Sequence, residues 1–203
     1  MNMMKYDQIP SQEIINKTAE ALRRSGIEVF VVENAAEARQ KALELLPPGV
    51  EVMTMSSQTL ETTGIAKEVN ESGGYKPVRE KLLDKQIPAQ DKKKYGAAPA
   101  FALGSVHAVT QEGQLLIASN TGSQLPAYAY GAGHVIWVVG AQKIVKDRED
   151  GFKRIYEYVL PLEDARARKA YGMGSNVSKV LIVNKEIESG RLKLILVKEK
   201  LGF

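Results

Sequence analysis

Cysteine is absent from the 203 residues, which rules out disulfides, thiolate nucleophiles and cysteine-held zinc or iron–sulfur clusters in this chain acting alone. Any redox metal therefore has to sit in a partner. Histidine is nearly absent too. His107 and His134 are the only two, both fall in strand-like runs, and without cysteine they cannot build a structural zinc site by themselves. Both read as structural residues, and no metal site is expected. No apolar run reaches the length of a membrane span, and Met3-Met4-Lys5-Tyr6-Asp7-Gln8 interrupts any apolar leader at once, so a soluble cytoplasmic protein is expected. An excess of one charge is also missing: 28 Lys and Arg against 24 Asp and Glu leave a net +4. The dense basic run Lys92-Lys93-Lys94 has no interleaved aromatics and reads as a solvated loop, so neither nucleic acid nor membrane is an expected partner.

What is present is enough for a core. With 44% hydrophobic residues at this length, one domain over 1–203 is the default. The first half alternates helix and strand signals, the pattern of a parallel sheet with helices on both faces. Ser11 can cap a helix carrying Ile15, Ala19 and Leu22, with Gly26 as its stop, before a strand over 27–32. Asn34 with Glu37 opens a second helix, which ends at Pro47-Pro48, and a strand follows over 50–55. One helix carrying Leu60, Ile65 and Val69 then runs to Gly73-Gly74, and a short one covers 78–83. Residues 86–104, with Pro88 and the small-residue stretch Gly96-Ala97-Ala98-Pro99-Ala100, read as a connector between lobes at about 10–85 and 105–203.

The second lobe opens with strands over 106–110 and 114–119 joined by Gln111-Glu112-Gly113, a β-hairpin with a glycine-containing turn. A short helix with Pro126 in its first turn follows, and then a strand over 134–139 without alternation, as expected where both faces are covered. Phe152, Ile155, Tyr156 and Val159 mark a helix that Pro161 should stop, followed by a polar helix over 162–170. Strands over 179–183 and 192–197, with a turn at Ser189-Gly190, are expected to complete the sheet.

Chemistry is expected where strands hand over to helices, because open α/β sheets bind ligands beyond the carboxyl ends of their strands. Asn120, Thr121, Gly122, Ser123 and Gln124 form such a corner, where free backbone N–H groups and a glycine could receive phosphate or carboxylate oxygens. The plainer alternative is that Ser123 caps a helix. Ser56 and Ser57 repeat the arrangement after an earlier strand, with the same alternative. Gly174 and Ser175, in Gly172-Met173-Gly174-Ser175-Asn176, make a third candidate turn. That turn is not a dinucleotide fingerprint, since Val177 replaces the third glycine and the segment precedes a strand. Lys143, Arg166 and Lys179 are the cations placed nearest the pocket, each weighed against surface pairing. Glu112 is the candidate nucleophile or general base if buried there, and otherwise an exposed hairpin carboxylate.

The strings Ser105-Val106-His107-Ala108-Val109-Thr110-Gln111-Glu112-Gly113 and Ala118-Ser119-Asn120-Thr121-Gly122-Ser123-Gln124-Leu125-Pro126 resemble the lactate-utilisation (LUD) domain family. So do Val138-Val139-Gly140-Ala141-Gln142-Lys143-Ile144-Val145, Pro161-Leu162-Glu163-Asp164-Ala165-Arg166, and the closing Leu196-Val197-Lys198-Glu199-Lys200-Leu201-Gly202-Phe203. The resemblance is clearest over 104–203. It implies an α/β fold like that of the NagB/RpiA/CoA-transferase superfamily, mostly parallel with a β-hairpin added, and a role in bacterial oxidation of lactate to pyruvate. It further implies a small anionic metabolite as ligand and iron–sulfur oxidoreductase subunits as partners, with no cofactor in this chain; self-association stays open. Two other readings remain on the same scaffold: acyl transfer through Glu112 in the manner of a CoA transferase, or a phosphate- or folate-type binding protein. Family members usually carry an Asp after the Ser/Thr-rich turn, whereas Ser175-Asn176-Val177-Ser178-Lys179 offers a cation there.

Overall fold

The computed structural model describes residues 6–203; residues 1–5, including part of the Met3–Gln8 stretch, lie outside the described residues. Helix α1 (Gln12–Arg24) starts where Ser11 Oγ accepts the Ile14 N–H at 3.4 Å, and it buries Ile15, Ala19 and Leu22. Gly26 follows at φ +80°, a conformation that costs glycine little, and a Cβ there would strike the Glu186 carbonyl. Strand β1 (Glu28–Val32) leads into α2 (Ala35–Glu44), capped by Asn34, whose Oδ1 accepts the Glu37 N–H at 3.0 Å while Glu37 returns a carboxylate to the Glu33 N–H.

Strand β2 (Glu51–Thr54) is followed by two helices where one was expected, α3 (Gln58–Thr62) and α4 (Ile65–Glu71). The break falls at Gly64, φ +71°, just after Thr63 turns its hydroxyl back on the carbonyl of Thr59 at 2.9 Å. Strand β3 (Lys76–Pro77) and α5 (Val78–Leu83) come next. Residues 86–104 do not form a loop connector: they fold as α6 (Ala89–Ala97) and β4 (Phe101–Gly104). Their small residues are what a crowded position needs, since β4 is buried throughout and Gly104 lies against Tyr128.

The remaining strands are β5 (Ala108–Thr110), β6 (Leu115–Ser119), β7 (His134–Gly140), β8 (Ile144–Val145), β9 (Lys179–Val183) and β10 (Leu192–Val197). A π-helical turn, Ala127–Gly131, lies between β6 and β7. Between β8 and β9, α7 (Arg148–Arg154) runs through a π-helical turn at Ile155–Val159 into α8 (Leu160–Tyr171). Pro161 therefore does not stop the helix. It lacks an N–H to donate, and the wide turn before it, with the Leu160 N–H on the Ile155 carbonyl, carries the chain past. The wider turn also shifts the phase of the apolar stripe, so Tyr158 is buried and Tyr156 is exposed.

Two sheets result. The larger has six strands in the order β1-β10-β7-β4-β2-β3, all parallel, and the smaller has four, β8-β5-β6-β9, of mixed direction. The expected hairpin β5–β6 is the centre of the smaller sheet. β9 pairs there with β6, whereas β10 lies between β1 and β7, so these two strands complete different sheets. Alternation distributes the core: Val135, Trp137 and Val139 of β7 face α1 and the smaller sheet, and Ile136 and Val138 face the layer containing α2, α3 and α4. A third cluster joins Ala108, Leu116 and Ala118, on the far face of the smaller sheet, to Ile155, Tyr158 and Val159.

Candidate ligand-binding site

Parallel strands end their carboxyl termini on one edge, and β2, β4, β7 and β10 are neighbours or near neighbours in the larger sheet. Ser56 and Ser57 follow β2, Ser105 follows β4, Lys143 follows β7, and Phe203 lies beyond β10. All five line one cavity of about 640 Å³, together with the end of β6 and part of α8.

The floor is built on Lys143. Only 2% of this residue is exposed, and its Nζ donates to Thr59 Oγ1 and Ser105 Oγ, each at 3.1 Å. Thr59 Oγ1 donates its own proton to the Leu201 carbonyl at 3.2 Å, and Gln142 Nε2 donates to the same carbonyl at 2.9 Å, which ties the segment after β10 to the floor. No carboxylate among the described residues lies within ion-pair distance of Lys143. Burial, reinforced by the positive charge of Arg154, holds its amine well below the usual lysine range.

His107 shares this environment. Its Nδ1 accepts the Ala118 N–H at 3.1 Å, so a proton on the neutral ring belongs on Nε2. Burial first, and then the charges of Lys143 and Arg154, lower it to about 3, and the ring is neutral at physiological pH. Arg154 is fully buried beneath, donates to the His107 carbonyl, and stacks at 5.2 Å on Tyr158.

A second cation without a carboxylate partner, Arg79 of α5, also lines the cavity. Its Nε donates to the Thr54 carbonyl and Oγ1 at 2.9 Å, and Nη2 donates to Ser56 Oγ at 3.1 Å. Arg166 differs, because Glu163 neutralises it through two bonds of 2.7 Å that raise its pKa. At the rim, Asp164 Oδ1 accepts the Ser175 N–H at 2.8 Å, and Gly174 packs so closely on Asp164 and Arg168 that a side chain there would collide with both.

The expected corners do converge. Ser56 and Ser57 line the cavity with Asn120, Thr121, Ser123 and Gln124, and Lys143, Arg166, Gly174 and Ser175 join them. Some groups of these corners already have partners within the chain. The Gly122 N–H donates to Ser119 Oγ at 2.8 Å and the Ser123 N–H to Thr121 Oγ1 at 3.3 Å, while Ser57 Oγ serves as the cap of α3, accepting from Leu60. Among the side chains the cavity offers a ligand are those of Arg79, Ser105 and Lys143.

Three expected residues lie elsewhere. Gly122 is in the turn at φ +85° but outside the lining, and the exposed Lys179 lays its stem against it instead of entering the cavity. Glu112 is exposed in the β5–β6 turn, whose Gly113 packs on the backbone of Ala21 and Leu22 in α1. It is not a cavity residue: it lies at the turn end of the hairpin, whereas Val106, His107, Ala118 and Ser119 at the other end line the cavity. Thr59, Ser105, His107 and Arg79 were not anticipated as lining residues. Ser105 had a signal, its position after a strand, hidden because β4 read as connector. Arg79 carried none.

The family model for the LUD domain matches residues 15–197. The chain belongs to the LUD domain family. A crystal structure of a DUF162 family protein from Deinococcus radiodurans shares the fold of this LUD-domain chain, with a TM-score of 0.57 at 16% sequence identity, over 94% of this chain and 99% of that one. No curated protein matches the sequence significantly. Among the described residues of this LUD domain, no helix is long and apolar enough to cross a membrane, and no group of three or more His, Asp or Glu could hold a metal ion.

Proposed function

We propose that this LUD-domain chain is a subunit or accessory protein of bacterial lactate-to-pyruvate oxidation in the cytoplasm, and that its cavity binds a small 2-hydroxy or 2-oxo acid. One observation carries the reading: Lys143 and Arg79 both line the cavity and neither has a carboxylate partner. Arg79 stays charged and takes an anion as its partner, while Lys143, whose amine burial holds well below the usual lysine range, sets a hydrogen-bonding nitrogen in the same cavity. In this arrangement Arg79, steadied by Thr54, receives the ligand carboxylate, and the adjacent carbon and its oxygen lie toward Lys143 and Ser105. Family membership supports the substrate class. Because the chain has no cysteine, the two electrons of lactate oxidation pass to partner subunits that carry iron–sulfur clusters.

Titration calorimetry with lactate and pyruvate tests this, comparing the native chain with Arg79→Gln. A charged hydrogen bond is worth about 1.5–3 kcal/mol, so the variant should bind about tenfold to a hundredfold more weakly. Absence of heat with both acids, together with no iron–sulfur partner in a pull-down, would overturn the reading. The volume of 640 Å³ supports a second one, a larger phosphate- or folate-type ligand, since it lies within the range of about 300–1,000 Å³ typical of drug-sized ligands. The same titration with inorganic phosphate and a folate separates the two. Acyl transfer through Glu112 has no such support, given where that residue lies.

A further inference from the structure

Lys143 has a hydrogen-bond pattern that a charged side chain would not choose. An ammonium presents three N–H donors, and a buried one needs three acceptors. Lys143 finds two, Thr59 Oγ1 and Ser105 Oγ, and the Thr59 hydroxyl is oriented to accept because its own proton is on the Leu201 carbonyl. Two donated bonds to hydroxyls, with no carboxylate within ion-pair distance among the described residues, suit a neutral amine whose third position carries the lone pair. The neighbours agree: His107 and Arg154 supply no negative charge to hold a proton on nitrogen. A neutral amine in a cavity with a carbonyl compound is a nucleophile.

We infer that Lys143 forms a covalent imine with the carbonyl carbon of a 2-oxo acid bound in this cavity. The inference rests on the proposed binding of such acids and goes beyond it, because binding alone requires no bond. The lone pair of Nζ attacks the ketone carbon, forming a C–N bond as the C=O electrons move to oxygen. One amine proton passes to that oxygen through the Ser105 hydroxyl, which accepts one proton and releases another, to give the carbinolamine. Loss of the second amine proton with the hydroxyl as water leaves the C=N bond. One water is formed per imine, and nothing is oxidised or reduced. Lactate, which has a hydroxyl where pyruvate has its ketone, binds without reacting, so the lysine distinguishes the oxidised member of the pair from the reduced one.

The test is reductive trapping of the full-length native chain with pyruvate and sodium borohydride, read by intact mass and then by peptide mapping. A mass gain of one pyruvic acid less one oxygen atom, located on the peptide containing Lys143, is the expected result. Lactate with borohydride, and borohydride alone, should leave the mass unchanged. Mapping the adduct in the native chain avoids dependence on a variant that fails to fold, and Ser105→Ala should slow trapping at least severalfold while leaving the lysine in place. If calorimetry shows pyruvate bound but no adduct forms, the imine is refuted and the binding reading stands. An adduct spread over surface lysines also refutes it, and failure of pyruvate to bind at all removes both.

Discussion

Replacing Lys143 by Met keeps the length and apolar character of the side chain but removes the amine that this floor buries. In the unfolded chain a lysine binds its proton until about pH 10.4. Folding buries Lys143 beside Arg154 and pushes its affinity for the proton well down. Between the lowered folded value and the unfolded one, the unfolded state holds more protons than the native state, so raising the pH stabilises the native protein. The slope for one such group is about 1.4 kcal/mol per pH unit. For a chain of this size about 1 kcal/mol corresponds to 2–4 °C, so the native protein should gain roughly 3–6 °C in Tm per pH unit relative to the variant. Lys143→Met is therefore expected to be favoured most at pH 7 and to lose its advantage as the pH climbs to 9. Thermal or urea unfolding of both proteins at pH 7, 8 and 9 measures this directly, and the difference cancels titrations the two share. Parallel curves would show that the amine keeps its proton in the folded state. The neutral-nucleophile argument would then fail with it.

His107 carries the same sign in a more acid window. Its folded value of about 3 lies below the unfolded value near 6.5, so its contribution to stability is lost as the pH falls between them. His107→Gln retains an acceptor for the Ala118 N–H and should unfold at lower pH than the native chain in an acid titration followed by circular dichroism. Asp164→Asn weakens the charge-assisted contacts with Arg168 and the Ser175 N–H, and faster hydrogen exchange at Ser175, with little change in β7, is the expected signature. Glu112→Gln should change stability by less than about 0.5 kcal/mol and leave calorimetric binding intact; a loss of binding would return Glu112 to the site.

Much of this architecture could be read from residue patterns. Ser11, Asn34 and the unbroken apolar run of β7 gave their elements away, because a cap is a local effect and a strand covered on both faces needs no polar alternation. The misreadings share a cause, which is that tertiary packing overrode a local rule. Gly96 to Ala100 read as loop because small residues are common in loops, yet they end α6 and lead into β4, with Gly131 of the Ala127–Gly131 turn packed on the backbone of Ala97 and Ala98. Pro161 read as a stop because the rule assumes an α-helical turn before it. The site was legible to the extent that strand ends mark it. Lys143, Ser56 and Ser123 were found that way, whereas Arg79 enters from a helix along the side, and no spacing in the chain announces it.

Strand order has a bearing on how the molecule is made. β10 pairs with β1 on one side and with β7 on the other, so residues 192–197 are the bridge between a strand made very early and one made past the midpoint. Until that bridge emerges from the ribosome, β1 and β7 each show an open edge of unpaired backbone, and β1 has no neighbour at all in the larger sheet. β10 is made after both strands it joins and seals the sheet between them, so a nascent chain stalled before it would be expected to depend on chaperones for solubility.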